Sequence, residues 1–296
     1  MLNPNKELWA ISPVDGRYAT ATSDLAAYFS EAALIKYRLK VEVEYLVALN
    51  DCKIGALASV DAEKVKELRS LYLSFNEQDA ERIKDTEKIT NHDVKALEYF
   101  IKEKLTGTSL ESIVEFVHFG LTSQDINNTA FPLSIKDAVA EIYFPSLTRI
   151  IEALKLRSEE WKDIPMLSRT HGQPASPTRL GKEIMVFVER LSSQQEFLET
   201  IPFCAKFGGA TGNFNAHVVA FPEINWRQFA DKFVSDYLGL KRLVYTTQIE
   251  HYDHLASLFD AIKRINNILI DLNRDVWTYI SLDYFKQRIK QGEVGS

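Results

Sequence analysis

The sequence predicts an all-α fold, with a smaller helical amino-terminal domain followed by a domain of long, bundled helices. Apolar residues recur every three or four positions through several long segments, as the buried face of a helix requires. No segment has the strict apolar–polar alternation that would indicate a large sheet. These two observations predict the fold class.

Helical spacing is clearest in four segments. The first follows Ser30, and the second follows Asn91, whose side chain is predicted to cap it. The third covers about residues 178–199, and the fourth covers residues 253–285. Residues predicted to face inward are Leu34, Tyr37, Val41, Tyr45 and Ala48; Val94, Leu97, Ile101 and Leu105; Ile184, Phe187, Val188 and Leu191; Leu255, Leu258, Ile262, Ile265, Leu269, Leu272, Val276 and Tyr279.

The fourth segment is predicted to form one very long helix, because no proline occurs after Pro222. At 1.5 Å per residue it would span ~50 Å, against ~30 Å for the diameter of a small domain. Helices of this length usually lie in bundles, and often in oligomers. We therefore expect this helix to need partners beyond one compact monomer.

Glycine and proline cluster at residues 13–16, 171–177 and 207–213, which are predicted to be loops between helices. Loops on a rigid scaffold often carry function. A boundary near residues 107–112 would separate an amino-terminal domain (1–110) from the central long-helix domain (111–296).

The composition is that of a soluble globular protein, with 46% hydrophobic and 26% charged residues. The two cysteines, Cys52 and Cys204, lie far apart, which favours a reducing cytoplasm over a secreted, disulfide-rich scaffold. The formal net charge of -6 argues against a global nucleic-acid surface. No secretory signal and no membrane span are apparent, so neither nucleic acid nor membrane is an expected partner.

Two cofactor or metal patterns are incomplete. His251 and His254 are three residues apart, but no Cys cluster or HExxH pattern supplies further zinc ligands. The glycines of residues 208–212 lack the Lys-Ser/Thr of a Walker motif and the strand and helix of a dinucleotide site. We therefore predict no metal and no cofactor.

Four other segments are rich in polar residues although they adjoin the predicted core: residues 12–18, 90–93, 118–128 and 168–174. A buried polar group without a partner costs about 1–3 kcal/mol. Each segment alone could be a helix cap or a hydrogen-bonded turn. Together, the four segments favour a functional site.

The amino-acid sequences of these segments resemble those of the aspartase/fumarase superfamily. HFGLTSQDINNT resembles its TSxDxxxN region, SRTHGQPASPT its catalytic-histidine loop, and KFGGATGNFNAH its glycine-rich region. GEVGS at the end resembles the opening of its mobile signature loop. Within the superfamily, SPVDGRY, TNHDVKALEYF and YTTQIE resemble the adenylosuccinate lyase family, so the expected fold is aspartase/fumarase-like.

The resemblance implies a lyase that releases fumarate by β-elimination, from adenylosuccinate to give AMP and from SAICAR to give AICAR, in purine biosynthesis. It implies a nucleotide substrate, no cofactor, and a homotetramer with active sites shared between subunits. Two alternatives remain: another fumarate-releasing lyase of the superfamily, or an inactive helical fragment that only binds nucleotide or assembles.

The resemblance also implies residue roles, of which the two catalytic ones are His171 as general acid and Ser296 as base. Arg17 and Tyr18 would bind the nucleotide phosphate, and Thr122 and Ser123 would donate to a substrate carboxylate. Asn91, His92, Asp93 and Gln248 would contact substrate. Thr170 and His118 are weaker candidates for supporting roles.

The family pattern continues beyond Ser296 with the rest of the signature loop and a third, carboxyl-terminal domain. A molecule that truly ended at Ser296 is expected to have little or no lyase activity.

Overall fold

The computed structural model describes residues 6–288 and 290–293, and it confirms the all-α fold class. Among these residues, four short strands accompany the helices. The helices are α1 (Ala19–Thr22), α2 (Ala26–Phe29), α3 (Glu31–Asp51), α4 (Ala62–Leu73), α5 (Glu77–Thr90), α6 (Asp93–Leu105), α7 (Ser123–Ala138), α8 (Phe144–Glu160), α9 (Leu180–Glu199), α10 (Asn215–Ala220), α11 (Trp226–Lys232) and α12 (Asp253–Ser281). The strands are β1 (Pro165–Thr170), β2 (Gln173–Arg179), β3 (Cys204–Ala205) and β4 (Lys241–Arg242). Short 3₁₀ segments cover Lys6–Trp9, Ser23–Leu25, Gly55–Ser59 and Glu111–Phe116, and π-helical turns cover Val139–Tyr143 and Phe233–Tyr237.

The chain divides into two compact units. The first contains the residues up to Tyr143 together with Pro202–Leu255, and the second contains Phe144–Ile201 and the chain from Ala256 onward. The predicted boundary at residues 107–112 lies inside the first unit. The division into domains 1–110 and 111–296 stays a prediction.

Helix α3 lies at the centre of the first unit and packs against α4, α5, α6 and α7. Ser30 caps it, because its hydroxyl accepts from the Ala33 N–H. Every residue from Val41 to Asn50 is buried, so this helix is enclosed on all sides. Any ionisable side chain that α3 carries there must find its partner inside the protein.

The second unit contains α8, α9 and the antiparallel β1–β2 hairpin, together with most of α12. Gly181 lets α9 begin directly against the end of α8: its N–H donates to Trp161 O, and Ser158 Oγ donates to its carbonyl. An added Cβ would lie 2.2 Å from Ser158 O. Only a residue without a side chain fits there.

Three predicted details are wrong. Residues 171–177 are not simply a loop, because strand pairing from Pro165↔Arg179 to Thr170↔Gln173 continues almost to His171. The last helix ends at Ser281 and not at residue 285, because Asp283 has φ of 59°, a left-handed conformation that stops helices. The cap of α6 is His92; Asn91 instead ends α5 with φ of 50°.

No helix within the described ranges is both long and apolar enough to cross a membrane.

Candidate functional site

The most connected side chain in the predicted site is Asp125, in the first turn of α7 and fully buried. Its Oδ2 accepts from the Thr122 N–H at 2.9 Å, so it closes the start of the helix. Its Oδ1 accepts from the Gly208 N–H at 2.8 Å, and the Gly209 N–H lies 3.1 Å from both carboxylate oxygens. One carboxylate therefore joins the TSQD segment to the glycine-rich loop.

Lys206 supplies the countercharge. Its side chain is as fully buried as that of Asp125, and its Nζ donates to Asp125 Oδ1 at 2.7 Å and to Gly209 O at 2.6 Å. Burial lowers the pKa of Lys206, and the neighbouring Asp125 carboxylate opposes that shift. Removing one member would leave the other as an unpaired buried charge, which typically costs about 3–5 kcal/mol. The pair therefore fixes two site loops against each other.

Thr122 and Ser123 lie at the amino terminus of α7, both half-buried. The first N–H groups of a helix and its dipole favour an anion at this end. Asp125 already takes the Thr122 N–H, and this anchoring holds the two hydroxyl-bearing residues in place. The binding of a substrate carboxylate by Thr122 and Ser123 stays a prediction.

Further along α7, Asn128 holds the segment that contains Gln248. The buried side chain of Asn128 accepts from the Glu250 N–H at 2.9 Å and donates to Tyr252 Oη at 2.7 Å. Burial raises the pKa of Glu250. Gln248 itself is exposed. The structure thus places Gln248 in a segment attached to the same helix that begins after Thr122.

His118 precedes this helix and has φ of 58°, a left-handed value that is costly for a residue with a side chain. Its Nδ1 lies 2.5 Å from Oε1 of Glu42, which projects from α3 and is completely buried. Burial is the largest single influence and works against the imidazolium form, but the carboxylates of Glu42, Glu98 and Asp125 together outweigh it and raise the pKa of His118.

Tyr45 and His217 hold the turn that follows His118. Tyr45 Oη donates to Phe119 O at 2.7 Å, so its contact with His217 Nε2 at 3.0 Å requires the histidine to donate. The ring of His217 also fills the space beside Gly120, where a Cβ would lie 2.7 Å from it. Burial lowers the pKa of His217 to about 4, so a neutral ring supports this turn.

Asn91, His92 and Asp93 form a sharp junction between α5 and α6. His92 Nδ1 accepts from the Lys95 N–H at 3.1 Å, which leaves Nε2 as the outward nitrogen. Arg38 is almost fully buried; it bonds Asp93 Oδ2 at 2.6 Å and Asn127 Oδ1 at 2.8 Å. Arg38 therefore connects this junction to α7, within the first unit.

Arg17 and Tyr18 are exposed at the start of α1, and the Arg17 guanidinium stacks 5.8 Å from the centre of the Tyr18 ring. Arg17 forms no ion pair with any residue that the structure describes. The binding of a nucleotide phosphate by Arg17 stays a prediction.

His171 lies in the second unit, at the tip of the β1–β2 hairpin, where it is exposed. It has φ of 51° and Gly172 has φ of 75°; two positive values are what a two-residue type I′ hairpin turn requires. This turn explains the His-Gly pair structurally and leaves the imidazole accessible. Ser296, the predicted base, lies outside the described residues.

Thr122, Ser123, Asn91, His92, Asp93 and Gln248 all lie in the first unit, and the segments of Asp93 and Gln248 are each connected to α7 by hydrogen bonds. Sequence reasoning missed the buried residues that hold them: Glu42, Arg38, Asp125, Lys206 and Asn128. The available signal was their polarity within apolar segments, most clearly Glu42 in the middle of a helix that is buried on every side. Within the described part of the chain, no group of three or more His, Cys, Asp or Glu side chains is arranged to hold a metal ion.

Comparison with known proteins identifies relatives along nearly the whole chain. The sequence profile of the lyase family matches residues 16–296. An adenylosuccinate lyase of Dictyostelium discoideum is 56% identical over 299 residues, which cover 98% of this chain and 64% of the relative. An adenylosuccinate lyase of Escherichia coli is 46% identical over 291 residues, again covering 98% and 64%. The chain therefore spans about two thirds of the length of these relatives.

Solved structures with the same fold are more distant in sequence. A fumarate lyase from Mesorhizobium superposes with a TM-score of 0.69 at 20% identity, over 87% of this chain and 57% of that one. A β-carboxy-cis,cis-muconate cycloisomerase from Acinetobacter calcoaceticus gives 0.70 at 20% identity, over 89% and 59%. These likenesses establish the fold.

Proposed function

Because this chain belongs to the lyase family, we propose that the protein catalyses β-elimination of fumarate from adenylosuccinate, giving AMP, and from SAICAR, giving AICAR. The shared name of relatives that are 46–56% identical supports this substrate class. Both reactions belong to purine biosynthesis, which the protein would carry out in the cytoplasm.

The elimination removes a proton from a carbon next to a carboxylate and breaks a C–N bond. It needs a base, an acid for the leaving nitrogen, and donors that hold the carboxylates as negative charge develops. In this proposal His171 is the acid, and its accessible position at the hairpin tip supports that role. Ser296 is the base, and its hydroxyl must be activated in the closed site because it is far too weakly acidic unaided.

The observation that carries the proposal is the start of α7. There Thr122 and Ser123 stand at the positive end of a helix, and Asp125 holds that end against the glycine-rich loop. This arrangement suits the dicarboxylate half of the substrate, on which negative charge grows as the proton is removed.

The nucleotide end of the substrate would be bound by exposed residues. Arg17, with Tyr18 stacked on it, suits a phosphate dianion, because the guanidinium offers several donors in one plane. Asn91, His92, Asp93 and Gln248 are proposed to contact the remainder of the substrate.

We also propose that the protein is a homotetramer whose active sites are shared between subunits. Large apolar side chains left exposed on α12 support it, including Phe259 and Trp277. Sedimentation of the purified protein tests this: a monomer at micromolar concentration would contradict it.

The first test is fumarate release from adenylosuccinate by protein whose intact mass has been measured. Wild-type protein whose mass shows that it extends beyond Ser296 is expected to release fumarate and AMP in equal amounts, whereas a molecule that ends at Ser296 should release little or none. His171→Ala should abolish release, and Ser123→Ala should lower kcat/KM about 100-fold, the loss typical of one transition-state donor.

Ser193→Ala is the matched control, because Ser193 is an exposed serine on α9 outside the proposed site. Argininosuccinate, malate and aspartate should release no fumarate. Fumarate release from one of these compounds, and not from adenylosuccinate, would show that the protein is a different lyase of this superfamily. Full turnover by Ser123→Ala would remove that residue from the site.

A further inference from the structure

Glu42 and His118 form an ion pair that the proposed reaction, as described so far, does not use. Glu42 lies in the enclosed stretch of α3, with no accessible surface, and its Oε1 is 2.5 Å from His118 Nδ1. The two residues are 76 positions apart in sequence. Burial of a carboxylate inside a helical core is costly unless it meets a positive charge or several donors.

Within the described residues, His118 is the only ion-pair partner that Glu42 contacts; the Lys95 ammonium, which itself pairs with Glu98, acts on Glu42 only from a greater distance. The Glu42 Oε2 atom is buried and has no hydrogen-bond partner there, so the imidazole provides its main compensation. A protonated imidazole at Nδ1 is therefore part of what makes this glutamate tolerable in the core.

The other acidic groups that face His118 are already neutralised by lysines. Glu98, from α6, pairs with Lys95 at 2.7 Å and Lys102 at 3.2 Å. Asp125, from α7, pairs with Lys206. Glu42 is thus the acidic neighbour of His118 that has no lysine in an ion pair with it. Its negative charge acts on His118, in agreement with the raised pKa of that histidine.

The opposite edge of the ring is the accessible one. The His118 side chain retains 15% exposure while its Nδ1 edge is held against a fully buried carboxylate. The left-handed backbone at His118 and the Tyr45 contact to Phe119 O fix this orientation, four residues before Thr122. His118 therefore presents Nε2 from the same segment that forms the anion-favouring start of α7.

We propose that Glu42 is a positioning residue for the lyase reaction: it holds His118 as a cation whose Nε2–H donates to an anionic group of the substrate, either phosphate or carboxylate. This inference rests on the proposed function for its substrate. The state of the Glu42–His118 pair, however, can be measured without turnover.

The test is Glu42→Gln, which removes the charge but keeps an oxygen that can accept from Nδ1–H. The pKa of His118 is measured by NMR titration of the histidine ring signals, assigned with His118→Gln. In wild type it should lie above 6.5, and in Glu42→Gln it should fall by about one unit or more, a tenfold change in proton affinity. Glu44→Gln is the matched control: it is a buried glutamate on the same helix, bonded to Arg69 and Tyr72 instead.

Ligand binding identifies the anion. At pH 7.5, Glu42→Gln should weaken binding of either AMP or fumarate about tenfold, and lowering the pH to 6 should restore part of that loss. Weakened AMP binding assigns His118 to the phosphate, and weakened fumarate binding assigns it to a carboxylate. Unchanged affinity for both ligands would overturn its role in the site.

If Glu42→Gln does not fold, the titration of His118 in the wild-type protein still tests the proposal. A His118 pKa at or below 6.5 in the wild-type protein would overturn it. If the histidine titrates as expected but no lyase activity is found, the ion pair stands and the proposed reaction fails.

Discussion

At the scale of single residues, the protein places polar groups in its core and satisfies most of them through long-range partners. His217 is an exception: it has no accessible surface, and its Nδ1 has no hydrogen-bond partner among the described residues. Phe119, Phe214 and Trp226 surround its ring. A charge on this ring would be poorly solvated, which explains why burial lowers its pKa to about 4.

This predicts a loss of stability in mild acid. Because the folded-state pKa of His217 lies below its ordinary value of 6.5, the unfolded chain binds the proton first as the pH falls. The contribution of neutral His217 to stability is full above about pH 6.5 and declines toward pH 4, by about 2 kcal/mol between pH 7 and pH 5, while His118, whose pKa is raised, contributes in the opposite direction. Urea unfolding at the two pH values measures the difference.

In His217→Gln, whose amide can still donate to Tyr45, the loss between pH 7 and pH 5 should be about 2 kcal/mol smaller than in wild type. His251→Gln, at an exposed histidine, should behave like wild type. An equal pH dependence in His217→Gln and wild type would exclude His217 as the cause.

At the scale of secondary-structure elements, close approaches of backbones set the geometry. The contact of α9 with the end of α8 depends on Gly181, which lies inside a helix and not in a turn. Its neighbours are backbone atoms, Ser158 O and Lys162 Cα, which cannot rotate away as a side chain could.

Gly181→Ala should therefore destabilise the protein although alanine favours helices. The added Cβ must push the two helices apart, and overpacking of this kind costs about 1–3 kcal/mol. Equilibrium unfolding in urea is the measurement. Ser193→Ala, which adds no crowding on the same helix, should change stability by no more than about 0.5 kcal/mol. Equal stability of Gly181→Ala and wild type would refute the close-packing account.

At the scale of the whole molecule, α12 has two apolar sides. With 3.6 residues per turn, Leu258, Ala261, Ile265, Ile268 and Leu272 share the buried side, whereas Phe259, Ile270 and Trp277 fall on nearly the opposite side. That second set remains 56%, 48% and 72% exposed. Such a surface favours contact with other copies of the chain over exposure to water.

Charge on this exposed side should therefore disrupt the proposed homotetramer. By light scattering, wild type is expected to have a mass near four times that of its single chain measured under denaturing conditions. Ile270→Glu should shift it toward smaller species, because a carboxylate would be buried without a partner. Gln78→Glu, at an exposed polar position on α5 and not on α12, should leave assembly intact. Tetramers of Ile270→Glu would exclude this surface as the interface.

Much of the fold was predictable because helix formation is local. The spacing of Leu34, Tyr37 and Val41 predicted α3, and α3, α6, α9 and α12 all form close to their predicted positions. The errors lie at the ends of elements: the His92 cap, the left-handed Asp283, and the hairpin at His171. There a single backbone angle or a neighbouring strand decides the outcome, and periodicity carries no information about either.

By itself, then, the sequence determined the helical class, the lyase family and the polar segments that form the candidate site, because helical periodicity and short motifs are both properties of neighbouring residues. Only the tertiary structure decided which buried side chains hold those segments. Asp125 meets Lys206 across 81 positions, Asn128 meets Tyr252 across 124, and Glu42 meets His118 across 76. These pairings follow from burial, since a polar group excluded from water must take whatever partner the packing of distant helices brings to it.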